Sequence, residues 1–379
     1  MKVVVAIDSL KGSLTSLQAG EAIKEGIIKA NPCSEVFVRP LADGGEGTVE
    51  ALTLGLGGTL EKIKVTGPSG RVVAAEYGII KETKTAIIEM SAAAGITQVS
   101  GNEKNPLFTT TFGVGEIICD AMEKGCRNFI IGIGGSATND GGLGMLTALG
   151  FEFFDKDGKM IGIYGKDLEK ISSISKDNMN PLLRECKFSI ACDVKNPLCG
   201  EMGCSSVYGP QKGATPEIVE KMDKWLSIYA CVAAKAFLDC DPDFPGSGAA
   251  GGLGFAFRTF LSGELLGGVE LVLSKTDLEN YIKDADIVVT GEGRLDFQTA
   301  MGKAPIGVAK LAKKYNKPVV AFAGCVTKEA VECNKAGIDA FFPILREVVD
   351  LDTAMDSKNA AENMAATAEQ VFRAININL

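Results

Sequence analysis

Short apolar runs that empty into glycine, hydroxyl and carboxylate residues set the pattern of this chain. Residues 3–7 (VVVAI), 35–40, 129–133 (FIIGI), 286–290 (DIVVT), 318–323 (PVVAFA) and 340–344 are rich in β-branched and aromatic positions and show little polar alternation. Runs this short and this uniformly apolar predict strands buried on both faces of a parallel sheet. Segments with helical spacing sit between them: residues 13–28 with a Ser/Thr start, a helix through about residue 54, and the amphipathic stretch 360–374 that closes the chain. Six such strands with interleaved helices predict a doubly wound parallel sheet assembled from distant parts of the sequence.

Other segments read differently. Residues 60–65, 72–80 and 86–90 form a meander rather than a βα repeat, with the turn Thr66-Gly-Pro-Ser-Gly70 between the first two. Residues 151–284 add a strand at 188–192, a helix over 218–238 and a glycine-rich turn at 245–254. A chain of 379 residues exceeds what one core normally supports. The expected layout is therefore two α/β domains. Residues 1–60, 105–150 and 285–379 form the doubly wound one, and 61–104 with 151–284 form a mixed α/β domain inserted into it. GGLG occurs at 141–144 and 251–254, but the flanks do not align and predict no repeat.

Composition narrows the chemistry. The chain has no histidine, which removes Ser-His and Cys-His nucleophile pairs, histidine bases and histidine metal sites. Its net charge of −9 argues against nucleic acid as a partner, while a small anion remains open to a few local cations. Eleven irregularly spaced cysteines read as reduced thiols, many of them buried packing residues. The start MKVVVAIDS runs directly into a strand, and no apolar run is long enough to span a bilayer. The expectation is a cytoplasmic protein with no membrane partner; a homodimer is left open.

Five loops carry the candidate chemistry. Asp8, Lys11 and Ser13 follow the first strand, where an ammonium, backbone N–H groups and a helix start can hold an anion; the same residues would also serve as a solvated lysine and an N-cap. Asp43 and Glu46 lie in ADGGEG, either as turn and cap residues or as oxygen donors for hydroxyls or Mg²⁺. Gly134-Gly-Ser-Ala-Thr-Asn-Asp-Gly-Gly142 offers amides at Gly134, Gly135 and Ser136 for phosphate and side-chain oxygens at Thr138, Asn139 and Asp140. It lacks GxGxxG spacing, which weighs against a dinucleotide. Asp193, Lys195 and Asn196 in CDVKNPL put a carboxylate at a strand end, as a base, a metal ligand or a plain turn residue. Glu292, Arg294, Asp296 and Lys303 mix both signs after the 286–290 strand, as an internal ion-pair network or as a pairing of metal ligand with cations for a transferring phosphate.

Taken together, DSLKGS, ADGGEGT, VTGPSG, NPLFTTTFGVGE, IGIGGSATNDGG, CDVKNPL, GPQKGAT, GAAGGLG and TGEGRLDFQTAMGK stand in an order that resembles the bacterial glycerate kinase family, glycerate 2-kinase type, over essentially the whole chain. Leu10 stands where that family often has an aromatic residue, and Phe297 where it often has serine. The resemblance implies two α/β domains, one Rossmann-like, with the active site in the cleft between them. It also implies ATP-dependent, Mg²⁺-assisted phosphorylation of D-glycerate, at the 2-hydroxyl, to give 2-phosphoglycerate. On this reading Asp193 takes the hydroxyl proton, and Lys11 and Arg294 hold the carboxylate or the moving phosphoryl group. Asp8, Ser13, Asp43, Glu46 and Asn196 bind substrate. Gly134, Gly135, Ser136, Thr138, Asn139, Gly251, Gly252 and Lys303 hold the nucleotide phosphates, and Asp140, Glu292 and Asp296 meet the metal. The alternatives are transfer to the 3-hydroxyl, a related small hydroxy acid as substrate, and a nucleotide-binding regulatory protein. An NAD-dependent dehydrogenase is disfavoured by the missing fingerprint.

Overall fold

The computed structural model describes residues 1–39, 41–42 and 47–377, apart from the side chain of Asn102. Its strands are β1 (Lys2–Ile7), β2 (Glu35–Val38), β3 (Thr59–Thr66), β4 (Val72–Ile80), β5 (Thr85–Glu89), β6 (Asn128–Gly132), β7 (Glu152–Phe154), β8 (Ser173–Ser175), β9 (Lys187–Ala191), β10 (Glu264–Leu266), β11 (Ile287–Leu295), β12 (Val319–Val326) and β13 (Ala340–Pro343). The chain divides into two compact units: Met1–Asp43 with Leu54–Leu56 and Val269–Leu379, and Gly44–Thr53 with Gly57–Gly268.

The first unit holds a five-stranded sheet in the order β13-β12-β11-β1-β2. Every pairing in it is parallel, with Val5 opposite Val289, Val3 opposite Val36 and Phe322 opposite Phe342. Val3, Val5, Val289 and Phe322 are buried, as expected where helices cover both faces. In the sheet's own sequence order the strands run 2-1-3-4-5, so the order reverses between β1 and β11. That reversal is the switch point at which doubly wound sheets bind ligands, beyond the carboxyl ends of their strands. The helix Ser16–Ala30 lies against the C-terminal helix Ser357–Asn376 so closely that a Cβ on Gly26 would fall 2.2 Å from the Ala365 carbonyl oxygen.

The Ser16–Ala30 helix starts later than the sequence suggests. Its cap is Thr15, which accepts from the Gln18 amide while the Gln18 side chain accepts from the Thr15 amide. Ser13 is thus no cap, and among the described residues its buried hydroxyl has no hydrogen-bond partner.

The second unit has a six-stranded mixed sheet in the order β10-β9-β6-β5-β4-β3, and β7 pairs separately with β8. The β3-β4-β5 meander is antiparallel, whereas β5-β6, β6-β9 and β9-β10 are parallel. β6 corrects the expected division. The FIIGI run, expected in the first sheet, pairs instead with β5 and β9, and residues 105–150 lie in the second unit. An apolar parallel strand has the same composition in either sheet, so its partners are not encoded in its pattern. Behind this sheet the core gathers Phe151, Phe153, Tyr229, Phe255 and Phe260, with Tyr229 stacked on Phe260 at 5.9 Å.

Candidate functional site

Each unit carries a cavity at the carboxyl ends of its parallel strands. In the first unit, a cavity of about 530 Å³ opens at the β1/β11 switch point. Asp8 and Lys11 reach it from the turn after β1, and Glu292 and Arg294 from β11 itself, which runs as a strand through the GEGRL segment. Ser9, Asp296, Gln298, Lys303 and Ser13, whose hydroxyl has no partner among the described residues, add to its polar lining. Leu345, Leu351, Ala354 and Met355 give it an apolar wall.

The charged groups in this cavity constrain one another. Glu292 is nearly buried and accepts from the Thr299 hydroxyl, while Lys303 Nζ stands 3.7 Å from its other oxygen. Asp296 caps the short helix Phe297–Ala300, taking the amides of Gln298 and Thr299 on Oδ1, and its Oδ2 lies 3.6 Å from Arg294 Nε. Arg294 is exposed, with 63% of its side chain accessible. Leu10 is buried and Phe297 exposed. Asp43 and Glu46 lie outside the described residues.

In the second unit, a cavity of about 210 Å³ sits beyond β6 and β9. Gly134, Gly135 and Ser136 line it after β6; Asp193 and Val194 line it after β9; Tyr208, Lys212, Ala249 and Ala250 close it. Gly135 adopts φ +70°, a left-handed turn that lets successive amides face one side. Asp193 is exposed and held by one hydrogen bond, from the Gly268 amide to its Oδ1 at 2.8 Å. Among the described residues, its Oδ2 carries no hydrogen bond that would compete for a substrate proton.

Only the first three residues of the GGSATNDGG turn line the cavity. Thr138 and Asn139 are fully buried, and the Asn139 amide donates to Ser205 Oγ. Asp140 is corrected as a metal ligand: wholly buried, its carboxylate accepts from the Thr111 amide and hydroxyl, the Gly142 amide and the Gly144 amide. Burial pushes its pKa above the ordinary carboxylate range, and those donors oppose the rise. Asp140 thus ties the turn to the segment leading into the helix Phe112–Glu123.

Gly251 and Gly252 are likewise corrected. Both are buried with positive φ, and a Cβ on Gly251 would fall 2.1 Å from the Thr138 carbonyl oxygen. The Gly251 carbonyl also accepts from the Gly141 amide. These glycines permit two loops to stack instead of wrapping phosphate. The Asn196 side chain is spent within its own loop, donating to the Met202 carbonyl and accepting from the Tyr208 hydroxyl, so it does not line the cavity.

Lys212 is the residue that motif reading passed over. It is 2% exposed, and its Nζ donates to Ser136 Oγ and to the Thr138 carbonyl, both at 2.7 Å. Burial lowers its pKa to about 8. The signal available in sequence was a lysine inside GPQKGAT, between Gly209 and Gly213. Nothing local says that such a lysine is buried. Among the described residues no helix is long and apolar enough to cross a membrane.

Residues 3–376 match the sequence profile of the glycerate kinase family. The chain is 46% identical over 378 residues to a glycerate kinase of Haemophilus influenzae, covering 99% of each sequence. It is 45% identical over 372 residues to the glycerate 2-kinase of Escherichia coli K12, covering 97% of this chain and 98% of the relative. A crystal structure described as a candidate glycerate kinase 2 of Salmonella typhimurium superposes with a TM-score of 0.92 at 44% identity, covering 100% of this chain and 99% of that one.

Proposed function

The chain belongs to the glycerate kinase family, and from that premise we propose that it transfers the terminal phosphoryl group of ATP to the 2-hydroxyl of D-glycerate, giving 2-phosphoglycerate and ADP. The observation that carries this reading is the second unit's cavity. It brings a carboxylate, two exposed glycines and a buried ammonium into about 210 Å³, below the usual range for drug-sized ligands and suited to a three-carbon acid. The 2-hydroxyl as acceptor is supported by the Escherichia coli relative, whose name specifies that position.

The roles follow from the groups present. Asp193 takes the proton of the attacking hydroxyl as that oxygen bonds to phosphorus and the bond from phosphorus to the ADP oxygen breaks. The amides of Gly134, Gly135 and Ser136 receive anionic oxygen. The first unit's cavity, at about 530 Å³, has the size and apolar wall for a nucleoside. Lys11, Arg294 and Lys303 supply the cations for its phosphates, with Arg294 suited to bidentate contact. Asp8 and Glu292 bring hard oxygens to the same cavity, each one residue beyond the last β1–β11 pair, Ile7 opposite Gly291. That donor set fits Mg²⁺, which binds through one or two carboxylates together with substrate phosphates. When bound, the ion neutralises charge on the phosphates.

Incubation with ATP, Mg²⁺ and D-glycerate, followed by phosphorus NMR, tests the reading. The expected product is 2-phosphoglycerate. A 3-phosphoglycerate product would move the attacking oxygen, and no phosphorylated acid would overturn the assignment.

A further inference from the structure

A buried lysine is costly to keep charged, and one that only clamps a loop has no need of charge. Lys212 satisfies two acceptors of the turn, the side-chain Ser136 Oγ and the Thr138 carbonyl, and forms no ion pair with any described carboxylate. An ammonium has three protons to donate, so one is left beyond those two acceptors, on a residue that lines the cavity. The groups around it do not discharge it. Cys204 is a buried thiol whose pKa is pushed up to about 12 and stays neutral. Asp140 contributes at longer range, and its oxygens are already taken by four donors. Tyr208 and the exposed Asp193 line the same cavity. A neutral donor would fix the turn equally well, so the charge itself needs another reason.

We propose that Lys212, with Ser136 and the Gly134 and Gly135 amides, is an anion subsite that takes a carboxylate or phosphoryl oxygen on the remaining Nζ proton. The choice of these two anions rests on the phosphotransferase reading; the subsite itself does not. An anion placed there favours the ammonium form. Near pH 8, where burial leaves Lys212 about half charged, binding therefore draws in a proton. A fixed donor of this kind, desolvated before the ligand arrives, acts at full strength on developing charge.

Calorimetric titration at pH 8 in two buffers of different ionisation heat counts the protons taken up when D-glycerate, or separately sulfate as a non-titrating stand-in for phosphoryl oxygen, binds the intact protein. The expected result is uptake of about half a proton per bound anion, with affinity falling about 10-fold or more between pH 7 and pH 9.5 as Lys212 discharges. Uptake with D-glycerate alone assigns the subsite to the carboxylate; uptake with sulfate alone assigns it to the phosphoryl group. Lys212→Met should abolish the uptake, and Lys212→Arg should bind without it. Wild-type protein showing no uptake with either anion overturns the proposal, as does a folded Lys212→Met variant that binds with wild-type affinity. If Lys212→Met does not fold, the wild-type proton count decides. Uptake in a protein that makes no phosphoglycerate would leave the subsite standing and remove the kinase reading; product without uptake would do the reverse.

Discussion

Replacing Asp140 by alanine separates a metal ligand from a structural keystone. The carboxylate is fully buried and receives hydrogen bonds from the Thr111 amide and hydroxyl and from the amides of Gly142 and Gly144, at 2.8–3.2 Å. Alanine strands the buried amides of Thr111, Gly142 and Gly144 without their acceptor; the Thr111 hydroxyl can turn elsewhere. Breaking a buried, charged hydrogen-bond set of this kind costs about 3–5 kcal/mol. At about 2–4 °C per kcal/mol for a unit of this size, the melting point should fall by about 6–20 °C. The single tryptophan, Trp225, packs against the second unit's core and reports its unfolding by fluorescence. The milder Asp140→Asn keeps one acceptor oxygen and puts an NH₂ against a backbone donor, so it should lie between wild type and alanine. The Mg²⁺ concentration for half-maximal activity of the folded fraction should not move. An unchanged melting point together with a raised Mg²⁺ requirement would refute this reasoning and return Asp140 to the metal.

Gly251→Ala should destabilise the second unit by about 2 kcal/mol or more, since the added Cβ meets the Thr138 carbonyl at 2.1 Å and φ is +68°; an unaltered Trp225 transition would contradict the close stacking of the two loops. Arg294→Ala, at an exposed side chain, should leave stability within about 0.5 kcal/mol and raise the KM for ATP at least about 10-fold, read by steady-state kinetics; an unchanged KM would remove the phosphate role. Lys212 also links stability to pH. Its folded pKa is lowered to about 8 from 10.5, so between those values the unfolded chain binds the extra proton, and the group's contribution to stability grows as pH rises. Urea unfolding of wild type against Lys212→Met should therefore shift toward wild type by about 3 kcal/mol between pH 7 and pH 10.5; a difference independent of pH would show that the buried ammonium is not titrating.

How much was legible in the sequence differs from loop to loop. Apolar runs ending before Asp8 and Asp193 marked strand ends, because a parallel strand leaves a plain compositional trace and its carboxyl end is where polar residues collect, whereas β11 continues through Glu292 to Leu295, past the apolar run that announced it. The pairing of β6 was not legible, since Ile130 and Ile131 would suit either sheet and their neighbours Ile87 and Ile190 are far away in sequence. In the GGSATNDGG turn the residue types were read as ligands, but burial divides them. Gly134 to Ser136 face the cavity, and Asp140 faces inward to Thr111. Carboxylates that organise a turn and carboxylates that meet a ligand use the same chemistry, and only packing tells them apart. Lys212 was missed for the same reason in reverse, its burial being set by Ser136 and Thr138, more than seventy residues earlier.

The account turns on Asp193 as proton acceptor for a small acid held in the second unit. Asp193→Asn preserves the acceptor for the Gly268 amide and removes only the basic oxygen, so steady-state kinetics with D-glycerate and ATP test it directly. The expected outcome is a kcat lower by about 10²–10⁴ with the KM for D-glycerate changed by less than about threefold; a kcat near that of wild type would contradict it.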